Sequence, residues 1–202
     1  MDINLIKERF SDFSNTSTRR INEGSKDFFA PDAAFVEAAV LVPLLIGDDG
    51  LDVLLTKRAS HLKHHPGQVS FPGGRREPED SSLEVTALRE THEETGISPD
   101  FVEIVGHLPR MYTISAYDVD PVVGLVRSGY TLQPDASEVD SIFTVPLAYL
   151  ADDGHRIDSD VTYRGTDVAM VEWHYQDQRI WGATAAMILT LLNTLALPSG
   201  SR

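Results

Sequence analysis

The stretch VSFPGGRREPEDSSLEVTALRETHEETGI, residues 69–97, constrains this chain most, because it joins a Gly-Gly turn to a dense set of acids at helical spacing. If 80–95 is a helix, Glu90, Glu93 and Glu94 stand three and four residues apart and project from one face. Like charges at that spacing cost a helix about 0.2–0.5 kcal/mol per pair, so the cluster calls for a positive partner. An acidic face on its own is usually solvated surface. Here the flanks argue otherwise. Gly73 and Gly74 follow the apolar run Val69-Ser70-Phe71 and let a strand turn sharply with its carbonyls exposed. Gly96 ends the helix as a C-cap, and Asp80, Ser81 or Ser82 offers an N-cap. Carboxylates with no nearby Cys or His partner suit magnesium or manganese, which bind a few carboxylates and keep positions for water and phosphate oxygens. Arg89, four residues before Glu93, can orient that carboxylate.

Arg89-Glu90-Thr91-His92-Glu93-Glu94-Thr95-Gly96-Ile97 resembles the second half of the Nudix box, with Thr91 where most members are apolar. Asp80 takes the place of the box's first Glu, and one extra residue precedes Arg89; the coenzyme A-hydrolysing sub-family shares both departures. Leu54-Leu55-Thr56-Lys57-Arg58-Ala59-Ser60-His61-Leu62 and His65-Pro66-Gly67-Gln68-Val69-Ser70-Phe71-Pro72-Gly73-Gly74 are similar to the motif that this sub-family carries upstream of the box, with Ala59 where many members have Ser. Weaker matches lie at Glu138-Val139, Pro146-Leu147 and Ile180-Trp181-Gly182, so the resemblance spans about residues 34–195. It implies the Nudix fold, a mixed sheet sandwiched between helices, in the α/β (α+β) class.

Hydrolysis of a diphosphate needs charge neutralisation, an oriented water and a stabilised leaving phosphate. Glu90 and Glu94 are the expected principal metal ligands, the Gly74 carbonyl a further oxygen, and Glu93 either another ligand or the general base. Arg89 completes the catalytic set with Glu90 and Glu93. In the family a carboxylate from a later loop sometimes joins the metals, and Glu138 is the candidate here. Lys57, Arg58, His61, Lys63, His64 and His65 form a locally basic stretch that Arg75 and Arg76 adjoin across the Gly turn. Lys57, Arg58, Arg75 and Arg76 are therefore the expected phosphate grips, with Arg58 assigned to the 3′-phosphate of coenzyme A. For any one of these residues, a surface loop balancing nearby acids is an equal alternative, and Glu138 reads equally well as a solvated acid at a strand start.

The resemblance implies a metal-dependent hydrolase that cuts coenzyme A or its derivatives into 4′-phosphopantetheine and adenosine 3′,5′-bisphosphate. Two alternatives stay open: a pyrophosphatase for another nucleoside diphosphate derivative such as ADP-ribose or NADH, and a non-catalytic nucleotide-sensing domain. An intact Arg89-Glu90 and Glu93-Glu94 set argues against the sensor.

At 202 residues one domain is expected, with 1–31 an N-terminal helix and arm and 32–197 the core. The net charge of −14 argues against nucleic acid and anionic membranes as partners, so an anionic substrate must be held by metal and a local basic patch. With no cysteine, disulfides, a thiol nucleophile and a thiolate zinc site are excluded. No signal-like apolar run opens the chain, and 185–197 is too short and too polar to span a bilayer, so a cytoplasmic location is the default. A homodimer is left open. The spacing predicts an amphipathic helix over 2–12 with Ile3, Leu5, Ile6 and Phe10 inward, and a polar arm over 13–31. Strands are expected at 34–46 and 51–56 around the Asp48-Asp49-Gly50 turn, and at 102–109, 118–127, 138–143 and 169–175, with helices near 146–151 and 182–196. Trp173 and Trp181 read as core or sheet-packing residues, and Gly182 as a close-approach or helix-start position.

Overall fold

The structure, a computed structural model, describes residues 3–14, 21, 33–48, 50–163 and 165–195. Apart from residues 13, 14 and 21, the polar arm expected at 13–31 lies outside the described residues, as does Asp49 of the expected hairpin turn. The apolar run of strand β1 (Val36–Gly47) reads as a buried strand and sits at the centre of a mixed sheet. It pairs in parallel with β7 (Tyr117–Val126) and antiparallel with β2 (Gly50–Arg58) through the Gly47↔Gly50 turn. The sheet continues through β3 (Val69–Ser70) and β8 (Val139–Pro146) on β2, β4 (Gly73–Arg75) on β1, and β5 (Val102–His107) and β6 (Met111–Tyr112) on β7.

Alternation along β1 divides its side chains between two helical layers. Ala39 and Leu41, with Val122 of β7, meet Ala87, Leu83 and Leu88 of helix α2 (Leu83–Thr95). Val42 and Leu44 face the other way, into a larger core shared with Ile6 and Phe10 of α1 (Ile3–Ser14), Leu147 and Leu150 of α3 (Leu147–Ala151), and Ile188 and Leu191 of α4 (Gly182–Thr194). The sheet is sandwiched between helices, as the sequence predicts.

Leu5 departs from the expected helix pattern and is 40% exposed, whereas Ile6 and Phe10 are fully buried. A second sheet, also unanticipated, consists of β9 (Arg156–Tyr163), β10 (Thr166–Tyr175) and β11 (Gln178–Ile180). Only the end of β10 was legible, because Trp173 is its one fully buried residue while Asp158, Asp160 and Asp167 keep the hairpin polar. Of the core and sheet-packing readings, Trp173 fits the first, whereas Trp181 is half-buried, with the Arg179 guanidinium 5.0 Å from its ring centre. Gly182 opens α4 with a φ of 63°, so its reading as a helix start holds.

Candidate active site

Helix α2 starts at Leu83 rather than at 80, because Ser82 is the one of the three cap candidates that caps it. The Ser82 side chain accepts a hydrogen bond from the Val85 N–H at 3.2 Å. Gly96 ends the helix in the left-handed region, at φ 79°. Thr91, out of place in an apolar slot, is fully buried yet satisfied, since its hydroxyl donates to the Ala87 carbonyl at 2.7 Å.

Asp80, released from capping, is buried and forms the anchor of the site. Arg89 grips it with Nε on Oδ1 at 3.1 Å and Nη2 on Oδ2 at 3.0 Å. Thr86 Oγ1 and the Glu77 N–H, both at 2.9 Å, donate to the same carboxylate. The Arg89 hydrogen bond is the main cause of a pKa held far below the usual carboxylate range, against the opposing effect of burial. Arg89 Nη1 then reaches Glu90 Oε1 and Glu93 Oε2, each at 3.0 Å, and Nη2 donates to the Arg75 carbonyl at 3.2 Å. Sequence spacing anticipates the Glu93 contact alone. The guanidinium thus locks the β4 turn and two of the three helical acids around one buried aspartate.

The acids do not share one environment. Glu93 is 55% exposed at its side chain, Glu90 only 16%, and Glu94 is buried. Glu94 Oε2 is buried and has no hydrogen-bond partner among the described residues. Burial pushes the Glu94 carboxyl up to about 8; Arg58 and the Gly73 N–H pull it down, while Glu90 and Glu138 push it further up. Glu90 is also raised, chiefly by burial, with Arg89 opposing.

Gly73 lets the turn lie against strand β1, and Gly74 makes room for Glu90. A side chain on Gly73, whose φ is 155°, would place its Cβ 2.4 Å from the Ala39 carbonyl oxygen, and one on Gly74 would sit 2.5 Å from Glu90 Oε1. No three His, Asp or Glu side chains among the described residues close on one point at ligand distance. Two buried or half-buried carboxylates, one with an orphaned oxygen, nevertheless fit a hard cation that takes its other ligands from water and phosphate.

The basic residues divide by their partners. Arg76 is engaged, its Nη1 on Glu37 Oε2 at 3.0 Å and its Nε and Nη2 on the Asp80 carbonyl. Arg58, half-buried at the end of β2, lies close enough to Glu94 for its charge to be felt there. Lys57 precedes it, half-buried and paired in register with Val69 of β3. Arg75 is exposed and lines a cavity of about 810 Å³ with Phe35, Arg76, Glu77 and Glu90. Glu138 acts electrostatically on both Glu90 and Glu94.

One charged cluster escapes the sequence reading because three separate elements assemble it. His107 on β5 bridges Asp120 on β7 and Glu84 on α2, at 3.0 Å from each. The Asp120 hydrogen bond chiefly raises His107 to about 9, with burial opposing and Glu84 adding.

The NUDIX domain family matches residues 36–174. Among curated proteins, an uncharacterized Nudix hydrolase NudL of Enterobacter sp. (strain 638) is 41% identical over 155 residues, covering 77% of this chain and 80% of that protein. Its counterpart in Yersinia enterocolitica is 40% identical over 161 residues, covering 76% and 78%. Among solved structures, the Nudix hydrolase RenU of M. smegmatis superposes with a TM-score of 0.56 at 19% identity, covering 84% of this chain and 92% of that one. A MutT/nudix family protein of Enterococcus faecalis does so at 0.51 and 17% identity, covering 97% and 75%. These two likenesses concern the fold. The family match and the curated relatives go further, and the chain belongs to the Nudix hydrolase family.

Proposed function

We propose that this enzyme cleaves the diphosphate bond of coenzyme A or its derivatives with magnesium or manganese, releasing 4′-phosphopantetheine and adenosine 3′,5′-bisphosphate. One observation carries the site assignment: Glu94 is buried with an orphaned oxygen, facing Glu90, Glu138 and Arg58. A carboxylate kept in that state has no use for stability, since burying a charge without a partner is costly. It is explained by a bound cation.

Glu90 and Glu94 are the principal ligands, the Gly74 carbonyl a further oxygen, and Glu138 the third carboxylate. A metal held there would supply charge neutralisation on the diphosphate and would lower the pKa of the attacking water. Glu93, oriented by Arg89 and open to solvent, accepts the proton of that water. Arg89 itself is spent on Asp80, Glu90 and Glu93, so it positions carboxylates rather than substrate.

Support for a coenzyme A substrate comes from the 54–74 segment, which brings Arg58 near Glu94, and from Arg75, the residue that follows it, which lines the cavity beside Glu90. Arg58, so close to the metal carboxylates, suits the diphosphate. Arg75 then suits the 3′-phosphate, a change from the sequence-based assignment of that group to Arg58. Lys57 and Arg76 add positive charge at the two edges, Arg76 partly neutralised by Glu37. A panel of coenzyme A, ADP-ribose and NADH tests the substrate, read as kcat/KM with product identification. Coenzyme A is expected to lead. Faster turnover of ADP-ribose overturns the coenzyme A reading.

A further inference from the structure

Residues 131–138 are all exposed, with no apolar side chain buried to hold them, yet they bring Glu138 close enough to Glu90 and Glu94 for its charge to be felt at both. Their placement rests on hydrogen bonds. At one side the Gln133 N–H donates to the Thr95 carbonyl at 2.8 Å and the Asp135 N–H to the Glu94 carbonyl at 3.3 Å, which moors the loop to the end of α2. Inside the loop, Asp135 Oδ1 accepts from the Ser137 N–H at 2.9 Å and from its hydroxyl at 2.7 Å. The Glu138 N–H in turn donates to the Asp135 carbonyl at 2.9 Å.

The other side is held by the loop after β2. The Ala59 N–H donates to the Glu138 carbonyl at 2.8 Å. His61 Nε2 lies 3.1 Å from the Ser137 carbonyl oxygen, and because a carbonyl can only accept, that nitrogen carries the proton. Asp135 and His61 are thus the two side chains that hold the peptide on either side of Ser137. Arg58, adjacent to Ala59, and Glu94, adjacent to Thr95, are attached to the same two moorings.

We infer that His61 and Asp135 are positioning residues that hold Glu138 against Glu90 and Glu94. The inference rests on Glu138 being a working carboxylate of the proposed site. It assigns the Ala59–His61 part of the upstream motif to building the metal site, while Arg58 remains with the substrate. His61 is exposed, so a direct contact with substrate is the competing role, and the two roles differ in what they change. A substrate contact moves KM. A positioning contact lowers kcat, weakens metal binding, and matters only while Glu138 is present.

The test uses the full chain and the variants H61A, H61Q, D135A, E138Q and H61A/E138Q. For each, kcat and KM on coenzyme A are measured across a magnesium titration, together with the gain in melting temperature from magnesium without substrate. We expect H61A and D135A each to lose about three- to tenfold in kcat, the range of one or two neutral hydrogen bonds, with KM changed less than about twofold. Half-saturation in magnesium rises, the magnesium-induced gain in melting temperature shrinks, and H61Q, which keeps an N–H donor, recovers most of both. In the E138Q background H61A adds nothing further. A loss in KM alone, or losses that multiply in the double variant, overturns the positioning role while leaving Glu138 in place. If E138Q itself changes neither kcat nor magnesium response, Glu138 falls from the site and the inference falls with it.

Discussion

Asp80 and Arg89 meet through two nearly parallel hydrogen bonds of 3.1 and 3.0 Å, with the aspartate buried and the guanidinium mostly so. Nine residues apart, they join the start of the box segment to the middle of its helix, and through Arg89 they also set Glu90 and Glu93.

Replacing Asp80 by Asn leaves Arg89 without its main counter-charge in a mostly buried position. Breaking such a pair costs about 3–5 kcal/mol, so D80N is expected to unfold at clearly lower urea concentration with an unchanged m-value. The folded-state pKa of Asp80 is depressed, so its contribution is present above the ordinary carboxylate value of about 3.9 and is lost as pH falls below it. The melting-temperature gap between wild type and D80N therefore narrows on acidification below about pH 4. A constant gap contradicts the ion-pair account.

The glycine pair predicts two opposite failures. Gly73→Ala drives a Cβ into the Ala39 backbone at a strained φ, and backbone cannot step aside, so the protein loses melting temperature. Gly74→Ala meets only the end of the Glu90 side chain, which can swing away. G74A should fold nearly as well as wild type and lose turnover at least about tenfold. Thermal melts beside the hydrolysis assay decide it; a stable, active G73A contradicts the geometry.

How much of this was legible in sequence depended on range. The acid spacing, the Gly-Gly turn and the Gly96 stop are local signals, and α2 follows them. Of the three cap candidates Ser82 caps the helix, and spacing could not single it out, because the partner that occupies Asp80, Arg89, is a side chain brought in by the fold. The three acids looked equivalent by spacing, whereas the sheet beneath buries Glu94 and leaves Glu93 in solvent. Strand β9 escaped because its polar residues masked a period of two that Ile157 and Val161, both exposed, do carry. The His107 cluster had no local signature.

His107 gives the molecule an alkaline signature. Its folded-state pKa of about 9 exceeds the unfolded value of about 6.5, so the stability from its contacts with Asp120 and Glu84 is complete below about pH 6.5 and lost as pH rises through 9. The melting temperature of wild type should exceed that of H107Q most at pH 6 and converge on it by pH 10. Parallel curves across that range contradict a charged His107.

On the proposed assignment, Arg58 and Arg75 divide the substrate. If Arg75 takes the 3′-phosphate, R75A loses about 10- to 100-fold in kcat/KM on coenzyme A, the scale of hydrogen bonds to a charged group, and much less on dephospho-coenzyme A. R58A, on the diphosphate, loses equally on both. The reverse pattern returns the 3′-phosphate to Arg58.

On the proposed reading, Glu94 is held buried for a cation. Thermal melts of wild type and Glu94→Gln, with and without magnesium or manganese, test it together with the hydrolysis assay. Without metal the variant should be as stable as wild type or more so, since it replaces a carboxyl whose ionised form burial and the neighbouring acids disfavour. With metal at a hundredfold excess over Kd, wild type gains about 2.7 kcal/mol and the variant far less, while its hydrolysis falls by orders of magnitude. Strong destabilisation of the metal-free variant, or hydrolysis that survives the substitution, contradicts the assignment.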